Sequence, residues 1–134
     1  HLFYQYWLHL AYSMKVLVLD TVHPLFFEEL PAIGLELIEE YQASSDQINW
    51  SDFGGLILRS RMPIDRPILE KATNLRFIAR VGAGLENIDL DAAKELGVEV
   101  LAAPEGNRNA LAEHALGMLL ALFNRLLIAA TSNA

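Results

Sequence analysis

The chain contains no cysteine in 134 residues. That excludes a disulfide framework, a thiolate metal site and a cysteine nucleophile, leaves stability to packing, and is compatible with the cytoplasmic location expected for it. Cations are also scarce: 10 lysines and arginines stand against 17 aspartates and glutamates, giving a formal net charge of −7 and a pI near 5.0. A uniformly acidic surface repels nucleic acid and anionic membranes unless its few cations gather in one place, so neither is an expected partner and the position of each arginine matters. No apolar run reaches the ~20 residues that span a bilayer. The longest candidate, near the C-terminus, is broken by Asn124 and Arg125. His1, His9, His23 and His114 lack metal-ligand spacing with any other ligand, so no metal is expected. No serine-nucleophile constellation or paired-carboxylate site stands out, and no catalytic residue is assigned.

What is present is a chain long enough for one compact domain, with 53% hydrophobic residues, and too short for two of ordinary size. Residues 1–13 are crowded with Phe3, Tyr4, Tyr6, Trp7 and Tyr12 but lack the basic start and cleavage site of a signal peptide. They read either as an amphipathic leader helix docking on a partner, with Leu2, Phe3, Tyr6 and Leu10 on one side, or, the preferred reading, as translated vector sequence ahead of a natural start at Met14.

From Lys15 onward short apolar runs alternate with stretches of helical period, the pattern of a parallel sheet between layers of helices. Strands are expected over 15–20, 35–41, 55–58, 76–81 and 98–101. Helices are expected from Pro24 to about Ala32, from Asp65 to Ala72 and from Leu90 to Leu96, with Gly34 and Gly97 as stops. The second strand is the least regular, because Leu35, Leu37 and Tyr41 alternate with Glu36 and Glu39 while Ile38 and Glu40 break the alternation. Residues 44–52 read as loop with room for one helical turn. Right-handed crossovers make the simplest closure a flavodoxin-like three-layer sandwich with a five-stranded parallel sheet over residues 14–106.

A long final helix follows, capped by Asn107 or Asn109, with Glu113 in its first turn and an apolar run to about Ala130. Ala112, Leu116, Leu119, Leu120, Phe123 and Leu127 mark one face, yet Leu111, Ala115, Met118, Leu122 and Leu126 leave the other nearly as apolar. One small sheet domain covers one side of such a helix, so residues 107–130 are expected to meet a second domain or a second subunit, with 131–134 as a tail.

In open parallel sheets ligands bind outside the carboxyl ends of the strands. Arg59, with Ser60 and Arg61, follows the third strand, and Arg80 closes the fourth just before Val81-Gly82-Ala83-Gly84. Neighbouring ends would set two guanidinium groups beside a glycine turn whose backbone N–H groups face an anion, a site for a carboxylate or phosphate. Taken singly, each arginine is more readily explained by pairing with an acidic residue; the constellation is what points to the site. The glycines do not make a dinucleotide fingerprint, since Asn87 stands where the third glycine belongs and Leu101 and Ala102 where a ribose-binding acid belongs. A phosphoacceptor receiver is excluded by Arg59 after the third strand and Ala102-Ala103-Pro104 after the fifth. His23 is read as a helix-start residue and His114, next to Glu113, as a buried or interfacial polar group.

The stretch from Leu75 through Arg80-Val81-Gly82-Ala83-Gly84 to Asn87-Ile88-Asp89, then Ala92 to Val100, Ala103-Pro104-Glu105-Gly106-Asn107 and Ala112-Glu113-His114 resembles the D-isomer-specific 2-hydroxyacid dehydrogenases, nearest their phosphoglycerate branch, from about Met14 to Ile128. The resemblance implies a flavodoxin-like substrate domain in which Arg59, Ser60, Arg80, Val81 and Gly82 hold the carboxylate or phosphate of a small 2-hydroxy acid and Asn107 lines the cleft. It also implies that the final helix is an interdomain and dimer helix, hence a homo-oligomer, and that NAD serves the intact parent. The family's G-x-G-x-x-G turn, its ribose-binding acid and its later arginine, glutamate and histidine are absent, and residues 129–134 drift from the family pattern. Hydride transfer needs those groups around a nicotinamide, so this chain is expected to be a truncated N-terminal part of an NAD-dependent oxidoreductase, to bind no cofactor and to be inactive alone. The alternative is an engineered or stand-alone flavodoxin-like fragment that folds by self-association and has no catalytic activity.

Overall fold

The computed structural model of the chain describes residues 14–32, 34–82 and 84–103, together with Gly117. In chain order the elements are β1 (Lys15–Val18), α1 (Leu25–Ala32), β2 (Glu36–Glu39), β3 (Gly55–Leu58), α2 (Arg66–Lys71), β4 (Phe77–Val81), α3 (Leu90–Glu95) and β5 (Glu99–Ala103). The strands form one five-stranded sheet in the order β2-β1-β3-β4-β5 with every pairing parallel. This is the flavodoxin-like strand order that the run of alternating elements predicts. The expected leader 1–13, the helix over 107–130 and the tail 131–134 lie outside the described residues.

Consecutive apolar residues serve this sheet because each face has its own core. Along β1 Val16 and Val18 face one side, where Ile57, Phe77, Ala79 and the α1 residues Phe26 and Leu30 are buried with them. Leu17 and Leu19 face the other, with Leu56, Leu58, Ile78 and the helical residues Ile68, Leu69, Ala92 and Ala93. Each valine, leucine, isoleucine or phenylalanine among them, fully buried, contributes ~1.5–3 kcal/mol, and each alanine less. Gly55 pairs with Phe77 in the register, and the Phe77 ring occupies the space a Cβ at Gly55 would need.

The same two-sided burial explains β2, which is shorter than expected. Leu37 packs into the first of these cores and Ile38 into the second, so the residue that broke the alternation is a core contact, and a one-sided strand is the wrong template for it. Residues 44–52 hold two short 3₁₀ turns, Ser45–Gln47 and Trp50–Asp52, where one helical turn was expected. The indole of the buried Trp50 donates to the Ser45 carbonyl at 2.9 Å and joins them.

Helix ends follow local chemistry. The His23 Nδ1 accepts the Leu25 N–H at 3.1 Å, the helix-start role read from sequence. Asp65 and Asp89 accept from the N–H groups of Ile68 and Ala92, at 3.2 and 3.0 Å, and cap α2 and α3. Pro31 lies in the last turn of α1, where its missing N–H forfeits a helical bond, and the helix stops one residue later. After α3 the chain turns through Gly97 at φ 74°, and Val98 N–H returns to the Ala93 carbonyl at 2.8 Å, so β5 starts at Glu99 and not at Val98. Arg66 and Glu95 pair at 2.7 Å between α2 and α3, but both are well exposed and such a pair adds little.

Candidate functional site

The parallel register aligns the carboxyl ends of three strands on one rim. Val18 pairs with Ile57 and Leu58 with Arg80, so the residues after β1 and β3 lie beside the end of β4. Arg59, Ser60, Arg80, Val81 and Gly82, the residues singled out from sequence, all fall on this rim. Asn107 lies outside the described residues.

Beyond the strands the two loops join again. Ile64 and Ile88 form a parallel bridge, with Ile64 N–H to the Asn87 carbonyl at 2.7 Å and Asp89 N–H to the Ile64 carbonyl at 2.9 Å. The chain segments after β3 and β4 therefore separate at the strand ends and meet again a few residues later.

Asp20, just past β1, organises one side of this gap. Its Oδ2 accepts the backbone N–H of Arg59 at 2.6 Å and of Arg61 at 3.2 Å, clamping the turn that carries both arginines. The Arg61 guanidinium is turned outward to the loop after β2, where it donates to the carbonyls of Glu40 and Ala43. Arg61 is thus a loop tether. It also lines a cavity of about 300 Å³ with Gln42 to Ser45, Met62, Pro63, Asp65 and Ile68, which neither Arg59 nor Arg80 lines. Close by, burial and the neighbouring Glu39 carboxylate push the Tyr41 hydroxyl up to about 12, so it stays neutral.

Arg80 fills the other side. Its residue is 8% exposed; Nε donates to Asn87 Oδ1 at 3.2 Å and Nη1 to the Val81 carbonyl at 3.0 Å. Among the described residues no carboxylate pairs with it. A buried cation held, among the described residues, by neutral oxygens alone has lost hydration without gaining a counter-charge from them, an arrangement that favours an incoming anion. Gly82 follows at φ 124°, a conformation that requires glycine at the turn.

The described residues do not suit a dinucleotide. The Asn87 amide occupies the turn where a third glycine would let a helix approach, α3 is capped by the Asp89 carboxylate where a pyrophosphate would sit, and β5 ends in Ala102 and Ala103 without an acid. No cofactor step is assigned to these residues. Among the described residues no group of three His, Asp or Glu converges on a possible metal position, and no helix is long and apolar enough to cross a membrane.

Asp20 and Asn87 are the two residues that sequence reasoning passed over. Asp20 is flagged by the same strand-end rule that singled out the arginines, applied to β1. Asn87 reads in sequence as a departure from a glycine fingerprint and as part of the stretch that resembles the family, and nothing in its neighbourhood signals three separate partners.

The family profile described as D-isomer specific 2-hydroxyacid dehydrogenase, catalytic domain, matches residues 16–134. Among proteins of known activity, the chain is 34% identical over 110 residues to the D-3-phosphoglycerate dehydrogenase of Sus scrofa, covering 81% of this chain and 21% of that one. Its fold is similar to that of the NAD⁺-bound 3-phosphoglycerate dehydrogenase of Entamoeba histolytica (TM-score 0.58, 31% identity, 80% of this chain and 38% of that one). It is likewise similar to the D-lactate dehydrogenase of Escherichia coli (TM-score 0.59, 30% identity, 80% and 36%). The chain spans about one fifth of the length of the curated relatives it matches. With the profile matching residues 16–134 and the parallel strand order in keeping with it, the chain belongs to the D-isomer specific 2-hydroxyacid dehydrogenase family.

Proposed function

We propose that residues 14–106 are the substrate-binding part of an NAD-dependent dehydrogenase of small, anionic 2-hydroxy acids, of the phosphoglycerate type. The anion site is the rim after β3 and β4. Arg59 and Arg80 supply charge, Ser60 and the backbone of Val81 and Gly82 supply hydrogen bonds to a carboxylate or phosphate, and Asn107 lines the adjoining cleft. The observation that carries this reading is the burial of Arg80 with neutral acceptors and, among the described residues, no carboxylate partner. NAD binding and hydride transfer are assigned to the rest of the whole enzyme, in keeping with the NAD⁺-bound relative of similar fold.

In substrate binding the division of labour is electrostatic. A guanidinium offers paired N–H groups that match a carboxylate or phosphate, and partial burial raises the worth of each contact over its value in water. The test is a titration of the chain with 3-phosphoglycerate and with sulfate, followed by amide NMR. Shifts at Arg59, Arg80 and Gly82 are expected, and an Arg80→Gln chain should lose them. No shift at these residues in the unaltered chain refutes the site.

Self-association through residues 107–130, in a cytoplasmic homo-oligomer, belongs to the same proposal, supported by the two apolar faces of that segment in sequence. Light scattering over a range of concentrations tests it, and a monomer at every concentration argues against it.

A further inference from the structure

We infer that Asn87 is a positioning residue for the anion site, holding the Arg80 guanidinium and the loop after β3 in one fixed relation. The inference rests on the anion-site reading of the rim. One amide makes three contacts: Oδ1 accepts Arg80 Nε–H, and Nδ2 donates to the carbonyls of Arg59 and Met62, each at 3.2 Å. These partners lie on both sides of the gap between the two strand ends. Asn87 therefore connects the side chain of one arginine to the backbone of the other.

The partners also dictate the residue type. Two carbonyls need a donor, and Nε–H needs an acceptor, so the side chain must present both from one short, planar group. Turning the amide over would set NH₂ against Nε–H and oxygen against two carbonyl oxygens, which fixes its orientation. Aspartate keeps the acceptor and places a negative oxygen before two carbonyls; serine is too short to span the three; glycine offers nothing. The main chain of Asn87 is committed as well, its carbonyl accepting from Ile64 N–H at 2.7 Å, so the side chain has little freedom to find other partners. Arg80 alone has several rotatable bonds, and a guanidinium held at Nε presents its remaining N–H groups in one plane. Holding that plane before the anion arrives removes an ordering cost from binding.

The experiment compares the 134-residue chain with its Asn87→Ala and Asn87→Asp variants, using 3-phosphoglycerate and inorganic sulfate as probes. Two quantities are read by NMR: anion affinity from the Gly82 amide, and hydrogen exchange of Arg80 Nε–H. In the unaltered chain Arg80 Nε–H should exchange slowly before any anion is added. Asn87→Ala should lose that protection and bind the probes about tenfold more weakly, the scale of one hydrogen bond to a charged group. Asn87→Asp should keep the protected Nε–H yet bind more weakly than Asn87→Ala, because its carboxylate neutralises Arg80. This split separates positioning from a general loss of folding. Equal affinity in the unaltered chain and Asn87→Ala overturns the inference alone, as does Asn87→Asp binding as tightly as the unaltered chain. If Asn87→Ala does not fold, a fast-exchanging Arg80 Nε–H in the unaltered chain overturns it. An unaltered chain that binds neither probe overturns the anion site, and the positioning role with it.

Discussion

Replacing Asp20 with alanine removes one carboxylate and leaves two backbone donors without their acceptor. Asp20 Oδ2 accepts from Arg59 N–H at 2.6 Å and from Arg61 N–H at 3.2 Å, and all three residues are half-buried. A hydrogen bond to a charged group contributes ~1.5–3 kcal/mol, and an orphaned buried donor costs ~1–3 kcal/mol. The longer bond to Arg61 and the access of water to both groups pull the sum toward the low end, so Asp20→Ala should destabilise the chain by ~2 kcal/mol. Asp20→Asn, which keeps one neutral acceptor oxygen, should cost about half of that. Urea unfolding followed by circular dichroism gives the stability, and amide hydrogen exchange gives the location. The amides of Arg59 and Arg61 should lose protection selectively, while Ile57 and Ala79 in the strands change only as far as global stability does. Stability within about 0.5 kcal/mol of the unaltered chain, with both amides still protected, refutes the clamp.

Gly97→Ala should cost ~1 kcal/mol. The Gly97 φ is 74° and a Cβ there meets nothing within 4 Å, so backbone strain acts alone, and an unchanged thermal midpoint contradicts the reading. Gly55→Ala should cost ~1–3 kcal/mol by driving a methyl into the Phe77 ring, and adding Phe77→Leu should recover part of the loss; strictly additive effects would show that the two side chains do not compete. Tyr41 is raised from an ordinary 10.0 to about 12, so it is neutral in the fold and charges more easily when unfolded. Its contribution is whole below the unfolded value and fades as pH climbs through the folded one. Between about pH 9 and about pH 12 the unaltered chain should lose more stability than Tyr41→Phe, and parallel losses in urea titrations count against the shift.

The sheet was legible because its strands are consecutive apolar runs, and only burial on both faces demands those. β3 and β4 were placed to within a residue from Gly55-Leu56-Ile57-Leu58 and the run ending in Val81. The rule that failed was alternation, applied to β2, where Ile38 turned out to face a second core. Residues 44–52 leave room for one helical turn in sequence and hold two 3₁₀ turns, because the Trp50 indole reaching the Ser45 carbonyl is a side-chain contact that no periodicity signals. For the site, sequence placed the arginines at the rim but not what they touch. Arg61 shares a turn with Arg59, and only the fold shows its guanidinium donating to carbonyls of the loop after β2. Asn87 binds across separations of 7, 25 and 28 residues, and a linear motif carries no trace of such contacts.

The bridge between Ile64 and Ile88 turns the rim into a closed eyelet, with Leu58 and Arg80 at one end and the two isoleucines at the other. A segment fixed at both ends cannot swing as a flap; it can only bow, and each side limits the other. The width of the ring is therefore a property of chain length, four residues from Asp20's clamp at Arg59 to Met62 on one side, with the Asn87 amide reaching across to both of those carbonyls. An insertion or deletion in this turn would accordingly carry the Arg59 and Met62 carbonyls away from the Asn87 amide while the strands beneath kept their register.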